Sequence, residues 1–435
     1  MPPKPHRETP FLKLPLRAWL WASYDFANTI FSMNIITLYF AQWVVIDLGL
    51  PDLAYGASYS LSMAVVGLTM PAFGAVADAR RSHTPHLIGY TVACVVLTAA
   101  LAACAAIPGP NHVKAFAALA VFAGANYFYI GAQTFYNALL LPVSPAGRAG
   151  YVSGVGTALG YLGAIAGLLL VWPFVGGKVP FFAAGRASAF LPTAAFFLLF
   201  AFPAWFAVRE DRTGAPRPSA AWGFRKAWGT LKRARERPGV FRFLIGNVLL
   251  QDPVATAIVF MAIYAQRVFG MADEAKIPLF IVSTTFAIAG GAAAGFVTDR
   301  WGARKTTMAT AVGWAFTFAF IAAARHPALF WVGGALVGVG LGFTWTATRP
   351  FLTALVGRDE QGEFFGLYNL AGRAAAIIGP LWWGAIIWAA GAWPVGKYRL
   401  AAASLVVFEV AAFFVFRKIA TPGKPDSGRL PATAT

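Results

Sequence analysis

The chain has little of what an aqueous protein displays at its surface. Only 12% of its 435 residues are charged, against about a quarter in soluble domains, which excludes an ordinary water-soluble fold. Its two cysteines, Cys94 and Cys104, fall in one apolar stretch, about 15 Å apart along a helix, too far for a disulfide within it. The five histidines (His6, His83, His86, His112, His326) lie in the tail or near the ends of apolar runs. That leaves no metal-ligand cluster and no buried histidine relay. There is no Gly-Lys-Ser/Thr phosphate loop and no nucleophile paired with a histidine, so we expect no enzyme, no ATP-driven pump, no cofactor and no metal. The N-terminal MPPKPHRETPFLKLPLR is polar and basic and lacks the apolar core and cleavage site of a signal peptide.

Apolar residues are plentiful, at 58%. Runs of about 20 residues, each able to cross a hydrocarbon layer of about 30 Å, recur at 18–46, 54–77, 86–107, 113–140, 150–173, 188–208, 240–268, 277–299, 305–325, 327–352, 362–389 and 396–417. They lack the alternation of a membrane barrel. The expected fold class is an all-α membrane protein of about twelve transmembrane helices. The net charge of +18 follows topology and suggests no nucleic-acid partner. Lys4, Arg7, Lys13 and Arg17 precede the first span, and Arg80 and Arg81 follow the second. A basic group from Arg209 to Arg242 follows the sixth, Arg300, Arg304 and Lys305 the eighth, and Arg417, Lys418, Lys424 and Arg429 the twelfth. All fall on one side if the chain crosses at every span, and the positive-inside rule makes that side cytoplasmic, with both termini there.

A polar interval divides six spans from six. The expected organisation is a tail at 1–17, a six-helix bundle at 18–208, a basic linker at 209–239, a second bundle at 240–417 and a tail at 418–435. From Ser219 to Arg237 the linker reads as an amphipathic helix, with Phe224, Trp228 and Leu231 on one face and Arg225, Lys226, Lys232, Arg233 and Arg235 around the rest. Such a helix would lie on anionic lipid. The halves also repeat. GAVADARRSH after the second span matches GFVTDRWGARK after the eighth, setting Gly74, Asp78 and Arg81 beside Gly295, Asp299, Arg300 and Arg304. An acid at such a place, bonded in only one arrangement of the halves, would bias a conformational equilibrium. At the fifth and eleventh spans, Gly154 and Gly160 fall on Gly366 and Gly372, and the same offset carries Asn137 onto Arg349.

A lone ionised group at the centre of a membrane helix is disfavoured by about 2.5–3.5 kcal/mol on insertion scales, so polar residues inside spans are candidate site residues. In the first span, Asp25, Asn28, Thr29, Ser32 and Tyr39 share a face at helical spacing, and in the fourth so do Asn126, Gln133 and Asn137. Each amide could equally serve a helix–helix hydrogen bond. The seventh span mirrors the first, with Asp252 on Asp25 and Thr256 on Thr29, and Pro253 is expected to bend or break it. Asp252 is the first candidate for binding or protonation; Asp25 is equally a structural acid. In the eleventh span, Arg373, with Asn369 one turn before it, wants an anion: Asp252, Asp25 or a substrate carboxylate. Arg349 reads as an interface or gate residue, and Trp345 packs on substrate or fills the seam. Glu409 in the twelfth span has no reading.

The motif at Gly295–Lys305 resembles the G-x-x-x-D-R-x-G-R-R of the major facilitator superfamily; in the first half Ala79 replaces the basic residue and the second glycine is missing. Within it, WASYDFANTIFSMNIITLYF, FYNALLLP, SGVGTALGYLG, LLQDPVATAI and GEFFGLYNLAGRAAAIIGP resemble the vacuole-effluxer-like branch over nearly the whole membrane domain. The resemblance implies two six-helix bundles related by a pseudo-two-fold axis, a central site lined by the first and fourth helices among others, and alternating access. Fungal members of the branch are associated with amino-acid export. We therefore expect a secondary active transporter of a small polar solute of the amino-acid type, coupled to protons, monomeric and in contact with membrane lipid. If the protein is bacterial, as its Ala, Gly and Arg content suggests, the membrane is the cytoplasmic one. The rivals are an exporter of lipids or amphiphilic drugs and a membrane sensor or scaffold that does not transport.

Overall fold

The structure is a computed structural model, and it describes residues 14–145, 148–208, 220–356 and 361–420. Both extreme tails and the segment 209–219 lie outside the described residues, as do the side chains of Asp78, Lys226, Leu231 and Asn369. The described residues form helices and no strand. Among the described residues, twelve helices are long and apolar enough to cross a membrane. They are α1 (Leu16–Asp47), α2 (Asp52–Arg80), α3 (His83–Ala106), α4 (Asn111–Ala138), α5 (Ala149–Val175) and α6 (Arg186–Phe206). After the linker come α7 (Pro238–Phe269), α8 (Asp273–Trp301), α9 (Ala303–Ala323), α10 (Pro327–Thr353), α11 (Gln361–Ala389) and α12 (Gly396–Arg417).

Helices pack closely in a membrane where small residues let backbones approach. Along α5 a ladder of glycines receives α1. A Cβ on Gly163 would stand 2.1 Å from the Phe26 carbonyl oxygen, and one on Gly167 3.0 Å from Ile30 Cα. Polar side chains of α1 then reach the α5 backbone: Thr29 Oγ1 donates to Gly160 O (2.6 Å) and Asn34 Nδ2 to Gly167 O (3.2 Å). The second half repeats the device between α7 and α11, where a Cβ on Gly379 would lie 2.0 Å from Thr256 Oγ1. Across the halves α2 lies against α11. A Cβ on Gly56 would meet Pro380 O at 2.6 Å and one on Gly384 would meet Leu53 Cα at 2.6 Å.

Two helices depart from what their sequences suggest. α1 is π-helical over Ser32–Leu38 and again over Trp43–Asp47. The wider turn takes Tyr39 off the face set by Asp25 and Asn28, so the expected stripe ends at Ser32. The break expected at Pro253 falls elsewhere: α7 runs without interruption from Pro238 to Phe269, whereas α11 leaves helical geometry at Ala376 (φ −91°, ψ 18°). Ala376 is four residues before Pro380, whose ring crowds that carbonyl.

The linker carries a helix, Ala220–Arg235, packed on α2, α7 and α11. Its Trp222, Phe224 and Trp228 are exposed, as are Arg225, Lys232, Arg233 and Arg235. Replacing Gly163 with Ala should cost about 1–3 kcal/mol through overpacking against α1 and lower the thermal midpoint. Gly154→Ala, in open space, should leave the midpoint unchanged or raise it; a thermal-shift measurement of both variants decides.

Candidate functional site

The break in α11 releases backbone groups in the apolar interior, where each must find a partner. Asp252 supplies one: its Oδ1 accepts from Gly379 N (2.9 Å). The carboxylate thus caps the C-terminal half of α11 as an acid caps a helix start. Ser60 of α2 supplies the other, donating to Ile377 O (2.8 Å). The hinge is held from its own half by α7 and from the opposite half by α2. Asp252 is 1% exposed and its Oδ2 has no hydrogen-bond partner. Thr256 is turned inward, its Oγ1 donating to Asp252 O (2.8 Å).

The mirrored acid is held differently. Tyr136 of α4 donates to Asp25 Oδ2 (2.9 Å), and Trp21, stacked on the Tyr136 ring at 4.3 Å, donates from Nε1 to Tyr136 O (3.0 Å). Arg349 of α10 is close enough to act on the Asp25 charge from the other half. On the same face of α1, Asn28 Oδ1 accepts from Gln133 Nε2 (3.3 Å), and Ser32 is half-buried where the π-helix begins. The α4 stripe divides. Gln133 meets α1, but Asn126 is fully buried and donates to Ser62 Oγ of α2 (2.6 Å). Asn137 is exposed at the helix end.

Arg373 pairs with neither Asp25 nor Asp252. Its Nη1 donates to Ile130 O of α4 (2.9 Å), across the two halves, and no described carboxylate forms an ion pair with it. A guanidinium has five donors, so most remain for a ligand. Asn369 precedes it by one turn, its side chain outside the described residues. Trp345 is 42% exposed, and Arg349 one turn on is also exposed.

Of the repeated motif residues, Asp299 and Arg300 are exposed and bonded to no described residue, while Arg304 donates from Nη2 to Arg417 O (2.6 Å), closing the end of α12. Gly295 is open, with nothing within 4 Å of an added Cβ, and Gly74 meets only Thr134 at 3.8 Å. Arg81 is exposed with φ 48°.

Sequence reasoning missed the most heavily bonded polar group among the described residues. At the end of the bundle opposite the chain termini, Arg186 of α6 donates from Nε to Asp273 Oδ2 (2.7 Å) and from Nη2 to Gln266 Oε1 (2.7 Å), and also pairs with Asp47. Lys276, fully buried, donates to Asp273 Oδ1 (2.8 Å), Gln266 Oε1 (2.9 Å) and Gln42. Two cations face two carboxylates, so the cluster is neutral and paired, with Lys276 fully buried and Asp47 at its exposed rim. Arg186, Asp47 and Gln42 belong to the first half, and Gln266, Asp273 and Lys276 to the second. Arg267 Nη2 to Val45 O (3.2 Å) and Tyr398 Oη to Asp52 Oδ2 (3.1 Å) cross at the same end. Every bond between described residues of the two halves lies here or near mid-bundle. The signal was the Asp273–Lys276 spacing, which falls just before the expected start of the eighth span.

Known proteins show similarity on three levels. The family model for "Vacuole effluxer Atg22 like" matches residues 144–421. An uncharacterized MFS-type transporter, YxiO of Bacillus subtilis, is 25% identical over 403 residues, covering 90% of this chain and 91% of that one. The Na(+), Li(+), K(+)/H(+) antiporter of Planococcus maritimus is 26% identical over 149 residues, 33% of this chain and 34% of its own length. Autophagy-related protein 22 of Kluyveromyces lactis is 24% identical over 175 residues, 37% and 35%. Among solved structures, a bacterial homolog to the human lysosomal transporter Spinster, inward-facing and unoccupied, aligns with TM-score 0.68 at 15% identity over 94% of this chain and 98% of that one. The nucleoside transporter NupG, as its D323A mutant, gives TM-score 0.72 at 14% identity over 93% and 100%. At these identities the two structures speak for the fold.

Arg186→Gln should unfasten the closed end. With Ser60→Cys as reporter at the α2–α11 seam, a membrane-impermeant maleimide added on that side should react about tenfold faster in the Arg186 variant, a shift of about 1.4 kcal/mol. Equal rates would assign the cluster to packing alone.

Proposed function

Because the chain belongs to the vacuole effluxer Atg22-like family, whose members are major facilitator transporters, we propose that it moves a small polar solute of the amino-acid class by rocking its two bundles, with protons as the coupling ion. The observation that carries this reading is Arg373. It is a guanidinium between the halves, tethered to a carbonyl and free of any described carboxylate. An intramembrane cation with unspent donors is suited to a substrate carboxylate. Asp252, buried with one oxygen unpaired, is the proton site, and its second oxygen connects protonation to the α11 hinge. The proton antiport in the printed name of the Planococcus relative supports the choice of ion.

In this reading the bundles are 18–208 and 240–417, the tails at 1–17 and 418–435 and the linker at 209–239 are cytoplasmic, and the membrane is the inner membrane of a bacterium. The fastened end is then external, and the arrangement is inward-facing. Asp25, Asn28, Thr29, Ser32, Gln133, Thr256, Trp345 and Asn369 flank the pathway. Asn126 and Asn137 serve it less directly, by holding α4 and ending it. Gly74, Asp78, Arg81, Gly295, Asp299, Arg300, Arg304 and Arg349 act as the cytoplasmic gate that fastens when the external end opens. The protein works as a monomer in contact with lipid through its linker helix.

Proteoliposomes test the assignment. Wild-type protein should exchange labelled amino acid across the membrane and accumulate it when a proton gradient is imposed. Asp252→Asn should keep exchange and lose gradient-driven accumulation, whereas Arg373→Gln should lose at least tenfold of both. Accumulation by Asp252→Asn equal to wild type would make that acid structural. Binding without flux in wild type would make the protein a sensor, and flux of amphiphiles but not amino acids would make it a lipid or drug exporter.

A further inference from the structure

A cavity of about 520 Å³ opens at the fastened end, lined from the first half by Val45 and Asp52 and from the second by Arg267, Trp388, Lys397 and Tyr398. Its size is that of a small-molecule site, and its lining shares no residue with the central pathway. Asp52 is 4% exposed, accepts from Tyr398 Oη at Oδ2 (3.1 Å), and has no partner at Oδ1. Arg267 spends one donor on Val45 O and lies beside the Tyr398 hydroxyl. Lys397 Nζ stands 5.8 Å from the Tyr398 ring centroid and donates to no described residue. Two cations therefore face one acid that is already partly satisfied, leaving a net charge of +1 around a cavity. Beside them Trp388, 75% exposed, offers a flat apolar surface.

We propose that this vestibule binds a small carboxylate with an apolar body, the carboxylate on Arg267 and Lys397 and the body on Trp388, and that its occupancy keeps this end closed. A singly charged anion neutralises the excess charge, and charge-assisted hydrogen bonds from arginine and lysine give it direction. The closure follows from who supplies the walls. Val45 and Asp52 move with one half and the remaining residues with the other, so opening this end takes the site apart. A ligand that binds only the closed arrangement stabilises it by mass action, about 100-fold at a concentration 100 times its dissociation constant. External carboxylates would thus brake the transporter from the side opposite its termini. The braking, not the binding, rests on the proposed rocking transport.

The probe is benzoate, with the purified full-length chain in detergent and equilibrium dialysis of the radiolabelled anion. Wild type should bind it saturably at one site per chain, R267Q/K397Q should weaken binding at least tenfold, and Arg373→Gln should bind as wild type does. Benzylamine, the same body with the opposite charge, should not displace it; this comparison needs no variant. Saturating benzoate should also slow maleimide labelling of Ser60→Cys at least tenfold, in a protein whose Cys94 and Cys104 are replaced by Ala. Lack of saturable binding, displacement by benzylamine, or loss of binding in Arg373→Gln with retention in R267Q/K397Q would each overturn the site. Binding with unchanged labelling would overturn the brake. None of these readouts involves flux, so failure of the transport assay would leave the site standing.

Discussion

The hydrogen bond from Gly379 N to Asp252 Oδ1 is the contact on which the second half and its junction with the first depend. A break in a membrane helix exposes backbone groups to hydrocarbon, where each unpaired group costs several kcal/mol. Pro380 imposes such a break on α11, and the chain meets it with a buried carboxylate on one side and the Ser60 hydroxyl on the other. The acid that looked misplaced in an apolar span is thus answered by a backbone that needs it. The partners of this break thus come from both halves.

The two halves use one plan with different fastenings. In each, a glycine-lined helix receives the helix that carries the acid. In the first half Asp25 is held by the Tyr136 phenol and its helix widens into π geometry. In the second, Asp252 is held by backbone and its helix stays regular. That difference gives the acids separate duties. Asp25 ties α1 to α4 near the end bearing the termini, while Asp252 keeps one oxygen unspent at the hinge.

Much of this was legible in the sequence because hydrophobic run length and repetition are one-dimensional signals. Twelve spans follow from apolar runs, and the pairing of Asp25 with Asp252 follows from the offset that also sets Thr29 on Thr256. Other features depend on packing. Several spans carry an internal proline, Pro253 and Pro380 among them, and nothing local says which helix will break; the neighbour able to cap the break decides it. The π turns of α1 carry no compositional mark, so the face predicted for Tyr39 rested on the wrong period. The ion cluster was hidden because Arg186 opens α6 ahead of its apolar run and Asp273 and Lys276 sit at the rim of α8, where charges are ordinary in sequence. Only the fold brings them across the seam. Glu409 stays outside this account: it is fully buried with neither oxygen hydrogen-bonded, and nothing in the structure explains it.

Among the described residues, one end of the bundle is fastened across the halves by Arg186 and Lys276, and in the proposed rocking cycle that fastening is released as the opposite end closes. Spin labels at Ala184 and Ala392 would report the fastened end, and labels at Arg148 and Ala354 the other, all exposed positions. Electron–electron resonance distances under an imposed proton gradient with solute present should change reciprocally, the first pair separating as the second pair closes. Distributions that stay single and unchanged at both ends during measured flux would contradict the account.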